Sequence, residues 1–285
     1  MTTAFVTAGA AGSPAATKDQ VAVVIGGGRG IGAAVVEALA TGGRRVVVAD
    51  TDHLPSEYNH YRSHDVGGHT EARALAERLT DSGLDVTAEA ADAGDERAVA
   101  RLYDRISAEY GRLDVVVNAF GVTHVRPVEE MELAEFRHVV QGNLDGVFLS
   151  SRHALPLLRA TGGGAIVNFS SVSGRSGFAK VAHYCAAKFG VVGFTAALAQ
   201  EVARDGIRVN AVCPGIVRSN MWRYLLEEFT RPGESEDECW ERMRGMIPQR
   251  EFQTAEDIAQ LVVFLAEARR VTGQAVSVDG GMTAP

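Results

Sequence analysis

The strongest constraint on the fold is a rhythm in the chain. Apolar, β-branched runs recur at Val21–Ile25, Arg45–Ala49, Asp85–Ala90, Leu113–Val117, Ala165–Phe169, Ile207–Val212 and Gln274–Val278, with segments of helical period between most of them. A run as continuous as VAVVI suits a strand buried on both faces, which a parallel sheet between two helical layers provides. Right-handed crossovers through those helices give a doubly wound α/β arrangement. At 285 residues the chain can bury a sizeable core, and the expectation is one domain over residues 19–285 behind a flexible tail at 1–18.

Two segments interrupt the rhythm. Residues 51–69, rich in His, Tyr, Ser and Gly, exceed the roughly 2 to 6 residues usual between a strand and its helix and are read as an insertion. Residues 216–252 carry Met221, Trp222, Tyr224, Leu225, Phe229, Trp240, Met243 and Met246 at broadly helical intervals. Following the carboxyl end of the sixth strand, they are expected to form a helical lid over a substrate.

Composition narrows the function. A net charge of −8 with no basic run lacks the electrostatic footprint of a nucleic-acid or anionic-membrane binder, leaving a small molecule as the expected partner. Cys185, Cys213 and Cys239 stand apart without CxxC spacing or paired histidines, so neither a metal site nor a disulfide framework is indicated and a cytoplasmic setting is expected. No basic region precedes the small residues of the N-terminus, and no run approaches the roughly 20 apolar residues of a membrane span.

The stretch I-G-G-G-R-G-I-G at 25–32 follows the first strand and opens a helix. There Gly26, Arg29, Gly30, Ile31 and Gly32 can bring backbone amides against a pyrophosphate at the helix start, which marks the sheet as Rossmann-type. Asp50 ends the second strand, 18 residues beyond Gly32 (50 − 32 = 18). A carboxylate there accepts hydrogen bonds from an adenine ribose and repels a 2′-phosphate, so NAD is expected over NADP. Arg29 argues the other way. Asp92, with Ala93 beside it, and Asn118 lie at the carboxyl edge of the next strands, as cofactor contacts or as ordinary helix and turn caps.

Y-C-A-A-K at 184–188 opens a long apolar helix running to about Arg204. The spacing of four puts Tyr184 and Lys188 on one face, where an ammonium would draw the phenol below its ordinary value of roughly 10. Ser171, at the end of the fifth strand, can donate to a substrate oxygen.

With these motifs assembled, the chain resembles the short-chain dehydrogenase/reductases across about residues 20–283. The correspondences run through Ile25–Gly32, Asp92–Asp95, Asn118–Gly121, Asn143 in Q-G-N-L-D-G, Ser171, Tyr184, Lys188, Pro214, Gly215, Ser219 and T-G-Q-A-V-S-V-D-G-G at 272–281. The resemblance implies hydride transfer between an alcohol carbon and nicotinamide. It assigns Tyr184 as acid/base, Lys188 to the nicotinamide ribose and the tyrosine pKa, Ser171 to polarising the oxygen, and Asn143 to holding a relay water. It also sets Gly121, Pro214, Gly215, Val217 and Ser219 beside the cofactor. Three features depart from the pattern: Ile25 replaces a threonine, Ala119 and Phe120 replace an Asn-Ala pair, and the insertion lies at the adenosine end, where it is expected to cover the cofactor.

The start of the lid, P-G-I-V-R-S-N-M-W at 214–222, resembles polyol and acetoin/butanediol members. That implies a small secondary alcohol or ketone, with Met221 and Trp222 on one side of the pocket and His124, Ser173 and Phe178 on the other. A ketoreductase of acyl, polyketide or cyclic natural-product substrates is the alternative, and a cofactor-sensing protein without turnover is a second. The resemblance also implies a homotetramer, through apolar faces bearing Leu144, Val147, Phe148, Phe189, Val192 and Phe194.

Overall fold

The computed structural model describes residues 17–284. The tail expected at 1–18 therefore lies almost wholly outside the described residues. Its last positions are not free, because Thr17 is buried and its hydroxyl donates to the Gly42 carbonyl.

All seven apolar runs form strands: β1 (Val21–Ile25), β2 (Arg45–Asp50), β3 (Val86–Ala90), β4 (Val115–Asn118), β5 (Gly164–Phe169), β6 (Ile207–Pro214) and β7 (Ala275–Val278). They make one sheet in the order β3-β2-β1-β4-β5-β6-β7, with every pairing parallel. Successive strand residues point to opposite faces, so Ala22 and Val24 enter one core while Val21, Val23 and Ile25 enter the other.

The first core is covered by α1 (Gly30–Thr41), α2 (Gly68–Asp81) and α9 (Ala255–Glu267). The second is covered by α3 (Glu96–Tyr110), α5 (Gly146–Thr161) and α6 (Ala182–Val202). The short α4 (Leu133–Val140) runs into a π turn at Gln141–Asp145 before α5. Strand order reverses between β1 and β4, which opens a crevice at their carboxyl ends.

Residues 216–252 contain α7 (Asn220–Phe229) and α8 (Glu236–Gly245). They fold around a small core of their own, made by Ile216, Leu226, Cys239, Met243 and Ile247. Ser219 caps α7, and Ser235 with Glu238 forms a capping box on α8, so each short helix carries its own start signal. The insertion is irregular up to Gly67, its last two residues opening α2; one antiparallel bridge, His53 to Asp65, closes it, and buried Asn59 ties it internally through Ser56, Tyr61 and Ser63.

One expectation about surfaces is corrected. Val147 is 1% exposed and belongs to the intrachain core, its position on α5 being turned inward where the next residue is turned out. Phe148 and Phe189, at 45% and 48% exposure, do face outward.

Candidate active site

The crevice is part of a cleft of about 1310 Å³ that runs from the glycine turn to the lid. That exceeds the roughly 300–1,000 Å³ of an ordinary single-ligand pocket and leaves room for two molecules side by side. Gly26, Arg29, Gly30, Ile31, Gly32, Asp50, Asp92, Ala93, Gly121, Pro214, Gly215, Val217 and Ser219 all line it, together with Ser171, Tyr184 and Lys188.

At the turn after β1, no side chain caps α1, so its first amides remain available to an anion. A methyl group on Gly32 would lie 2.1 Å from the Gly26 carbonyl oxygen, so only glycine lets the turn fold this tightly. Asp50 accepts from the Gly28 amide at 2.9 Å and the Thr51 amide at 2.8 Å. Burial raises its carboxyl above the ordinary value against the pull of these amides and Arg29. Unexpectedly for a basic residue in this loop, Arg29 is held by the insertion: it donates to the Val66 carbonyl (2.7 Å) and the Tyr61 hydroxyl (2.9 Å).

The catalytic candidates meet at the middle of the cleft. Ser171 lies two residues beyond β5, where it caps the turn Val172–Gly174 by accepting from the Ser173 amide, while Tyr184 and Lys188 stand on the first turns of α6. Lys188 is 2% exposed and donates to the Phe169 carbonyl at 2.8 Å. Burial pushes its ammonium down to about 7.

The expected effect of Lys188 is not among the influences that act on the tyrosine phenol here. Burial raises the Tyr184 phenol above its ordinary value, and the opposing pull comes from the Ser171 hydroxyl. The ammonium is directed at a backbone carbonyl and sits 5.5 Å from the Tyr184 ring centroid. The Tyr184 hydroxyl is 3.9 Å from the Met221 sulfur, so the start of α7 reaches it directly.

Asn143 is fully buried at the centre of the π turn and does not line the cleft. Its amide nitrogen donates to the Val122 and Val139 carbonyls at 2.7 Å each, and its Oδ1 has no partner. A methyl group on Gly121 would lie 2.5 Å from Asn143 Oδ1 and 3.1 Å from Lys188 Nζ, so both polar atoms converge on that bare glycine.

Two candidates are corrected. Asn118 is fully buried and donates to Asn168 Oδ1 at 2.8 Å, so its side chain bridges β4 to β5 instead of facing the cleft. His124 is drawn away from the pocket by Glu135, to whose Oε1 its Nδ1 is bonded. That buried glutamate also lies near Arg126 and His183, a cluster that no local sequence pattern announces. Ser173, Phe178, Met221 and Trp222 do line the cleft. Phe120 fits because its ring lies over Gly146, where a methyl group would come within 2.7 Å of it; Ile25 simply joins the core.

Sequence reasoning missed Leu54, Pro55, His60, Tyr61 and Val66, which bring the insertion into the cleft wall. Their only signal was the length of the segment. His60 is 8% exposed, its Nδ1 lacks a partner, and burial holds its pKa at about 3. Free amides at a glycine turn, a carboxylate at the second strand and an orphaned polar atom in the wall together fit an adenine dinucleotide.

Residues 26–283 match the family model described as enoyl-(acyl carrier protein) reductase. The chain is 36% identical over 263 residues to the 3-oxoacyl-[acyl-carrier-protein] reductase FabG of Staphylococcus aureus, covering 92% of this chain and 97% of that one. It is 36% identical over 269 residues to the cis-4-hydroxycyclohexanecarboxylate dehydrogenase of Sinomonas cyclohexanicum, covering 93% and 97%. A crystal structure of an actinorhodin polyketide ketoreductase with NADPH superposes with a TM-score of 0.85 at 32% identity, covering 94% and 99%.

Proposed function

Since the chain belongs to the short-chain dehydrogenase/reductase family, whose members are oxidoreductases, we propose that it interconverts a secondary alcohol and its ketone with NAD(H). The observation that carries this reading is the meeting of Ser171, Tyr184 and Lys188 in the cleft that also holds Asp50. A bound nicotinamide supplies or accepts the hydride. For ketone reduction, Tyr184 donates its proton to the carbonyl oxygen while the Ser171 hydroxyl polarises it. Lys188 and Asn143, converging at Gly121, hold the polar route by which that proton is replaced. Asp50 favours NAD because its carboxylate faces the ribose edge, and Arg29 is already engaged by Tyr61 and Val66. The ketoreductase that superposes on this chain binds NADPH, which makes the preference a direct test. Fluorescence titration should give tighter binding of NADH than of NADPH; equal or reversed affinities overturn the assignment.

The lid supports a substrate with an apolar body. Phe178, Met221, Leu225 and Phe229 pack against the apolar cluster that contains Tyr184, and a small polyol would leave several hydroxyls against them without partners. A cyclic or acyl-bearing secondary alcohol fits this wall better, with the small polyol as the competing reading. Rates on ring alcohols, β-hydroxyacyl thioesters and small diols in the presence of NAD discriminate: turnover confined to diols restores the polyol reading. Absence of turnover across all classes, with NADH still bound, would favour a sensor. The assembly we propose is a homotetramer built on α5 and α6, where Phe148 and Phe189 are exposed.

A further inference from the structure

The insertion is the part of the cleft that the reaction does not require, yet it is built into the wall. It contributes Leu54, Pro55, His60, Tyr61 and Val66 to the lining that also holds Asp50, and its stretch 61–66 is anchored to two separate parts of the fold. At one of them Tyr61 and Val66 hold Arg29 of the glycine turn, with the guanidinium 4.7 Å from the Tyr61 ring centroid. At the other, Arg62 pairs with Glu227 and Glu228 of α7 and lies 4.9 Å from the Tyr224 ring centroid. Tyr58 adds a contact to Glu132 at the start of α4. Next to Tyr61, His60 sets its ring against the phenol with centroids 4.1 Å apart and planes tilted by 37°, nine-tenths buried and with an unpaired ring nitrogen. A buried polar atom without a partner costs free energy unless a ligand or water completes it.

We propose that residues 51–69 form an adenosine clamp, in which His60 and Tyr61 close on the adenine-ribose half of the dinucleotide while Tyr61 and Val66 keep Arg29 from the 2′ position. The uncharged His60 ring presents a hydrogen-bonding edge and a flat face, both of which suit a purine. Asp50 and the clamp then act together: one repels a 2′-phosphate, the other withholds the cation that would neutralise it. This inference rests on the NAD reading above.

The test compares binding of NADH, NADPH and reduced nicotinamide mononucleotide, which carries the same reacting ring without adenosine. His60→Ala should weaken NADH by about fivefold or more, the value of one lost hydrogen bond, and leave the mononucleotide unchanged. Tyr61→Ala should raise the affinity for NADPH relative to NADH. His60→Gln and Tyr61→Phe, which keep most of each side chain, should move in the same directions by less. Equal effects on NADH and the mononucleotide, or no effect on either, overturn the clamp. Wild-type protein that binds NADPH as tightly as NADH overturns the Asp50 reading instead, and the comparison with the mononucleotide still decides whether the insertion grips adenosine.

Discussion

At the scale of single residues, Tyr184 carries the sharpest expectations. Tyr184→Phe keeps the ring in its apolar cluster beside Met221 but removes the proton, so kcat should fall by about 10²–10⁴-fold with NADH affinity unchanged. Rates under saturating substrate, beside a fluorescence titration, decide this, and a near-native rate removes Tyr184 from the mechanism. The direction of its pKa has a consequence for pH. A phenol raised above the ordinary value of roughly 10 stays protonated through neutral pH. Ketone reduction should therefore hold below neutral pH, while Tyr184 and Lys188 are both protonated, and fall as pH rises through about 7, where Lys188 loses its proton, whereas alcohol oxidation should climb as pH rises. Reduction that strengthened with rising pH would show that another group donates. Tyr184, Lys188 and Ser171 were legible from spacing alone, because a helix and a strand end fix where such side chains point. The correction at Asn118 was not legible: whether a strand-end amide turns to the cleft or to Asn168 on the next strand depends on a neighbour 50 residues away.

At the scale of elements, the turn between β1 and α1 is the least forgiving. Gly32→Ala would press a methyl group onto the Gly26 carbonyl, which is backbone and cannot swing aside. It should cost about 1–3 kcal/mol of stability and abolish the rise in melting temperature that NADH confers. Thermal unfolding with and without NADH measures both, and a variant still stabilised by NADH would mean that the turn tolerates a shift. Strands were readable because burial on both faces leaves a continuous apolar signature. The π turn at Asn143 was not, since it arises from how α4 and α5 meet rather than from a local propensity. The insertion was visible as excess length, but its path over the cleft depends on Arg29, Glu132, Glu227 and Glu228, which lie in three other elements or turns.

At the scale of the whole molecule, the two helical layers bury most large apolar side chains, and the exceptions are informative. Phe148 and Phe189 stand exposed on α5 and α6, with the Phe148 and Phe194 rings meeting edge-on at 6.4 Å. Light scattering should give the mass of a tetramer, and Phe148→Asp with Phe189→Asp should reduce it by placing charges in an apolar contact. A monomeric wild-type mass would leave these rings as ordinary exposed apolar surface. Among the described residues no helix is long and apolar enough to cross a membrane.

The sequence by itself determined the seven strands, the doubly wound parallel architecture, the glycine turn and the Tyr184–Lys188 pair. Each of these is written in local periodicity or in a fixed spacing within one element. Tertiary structure alone decided which polar groups face the cleft. It turned Asn118 to Asn168 and His124 to Glu135, aimed Lys188 at a carbonyl, and drew the insertion across to Arg29 and the lid. These outcomes depend on which distant groups complete one another's hydrogen bonds when burial removes water, and no local pattern in the chain encodes that competition.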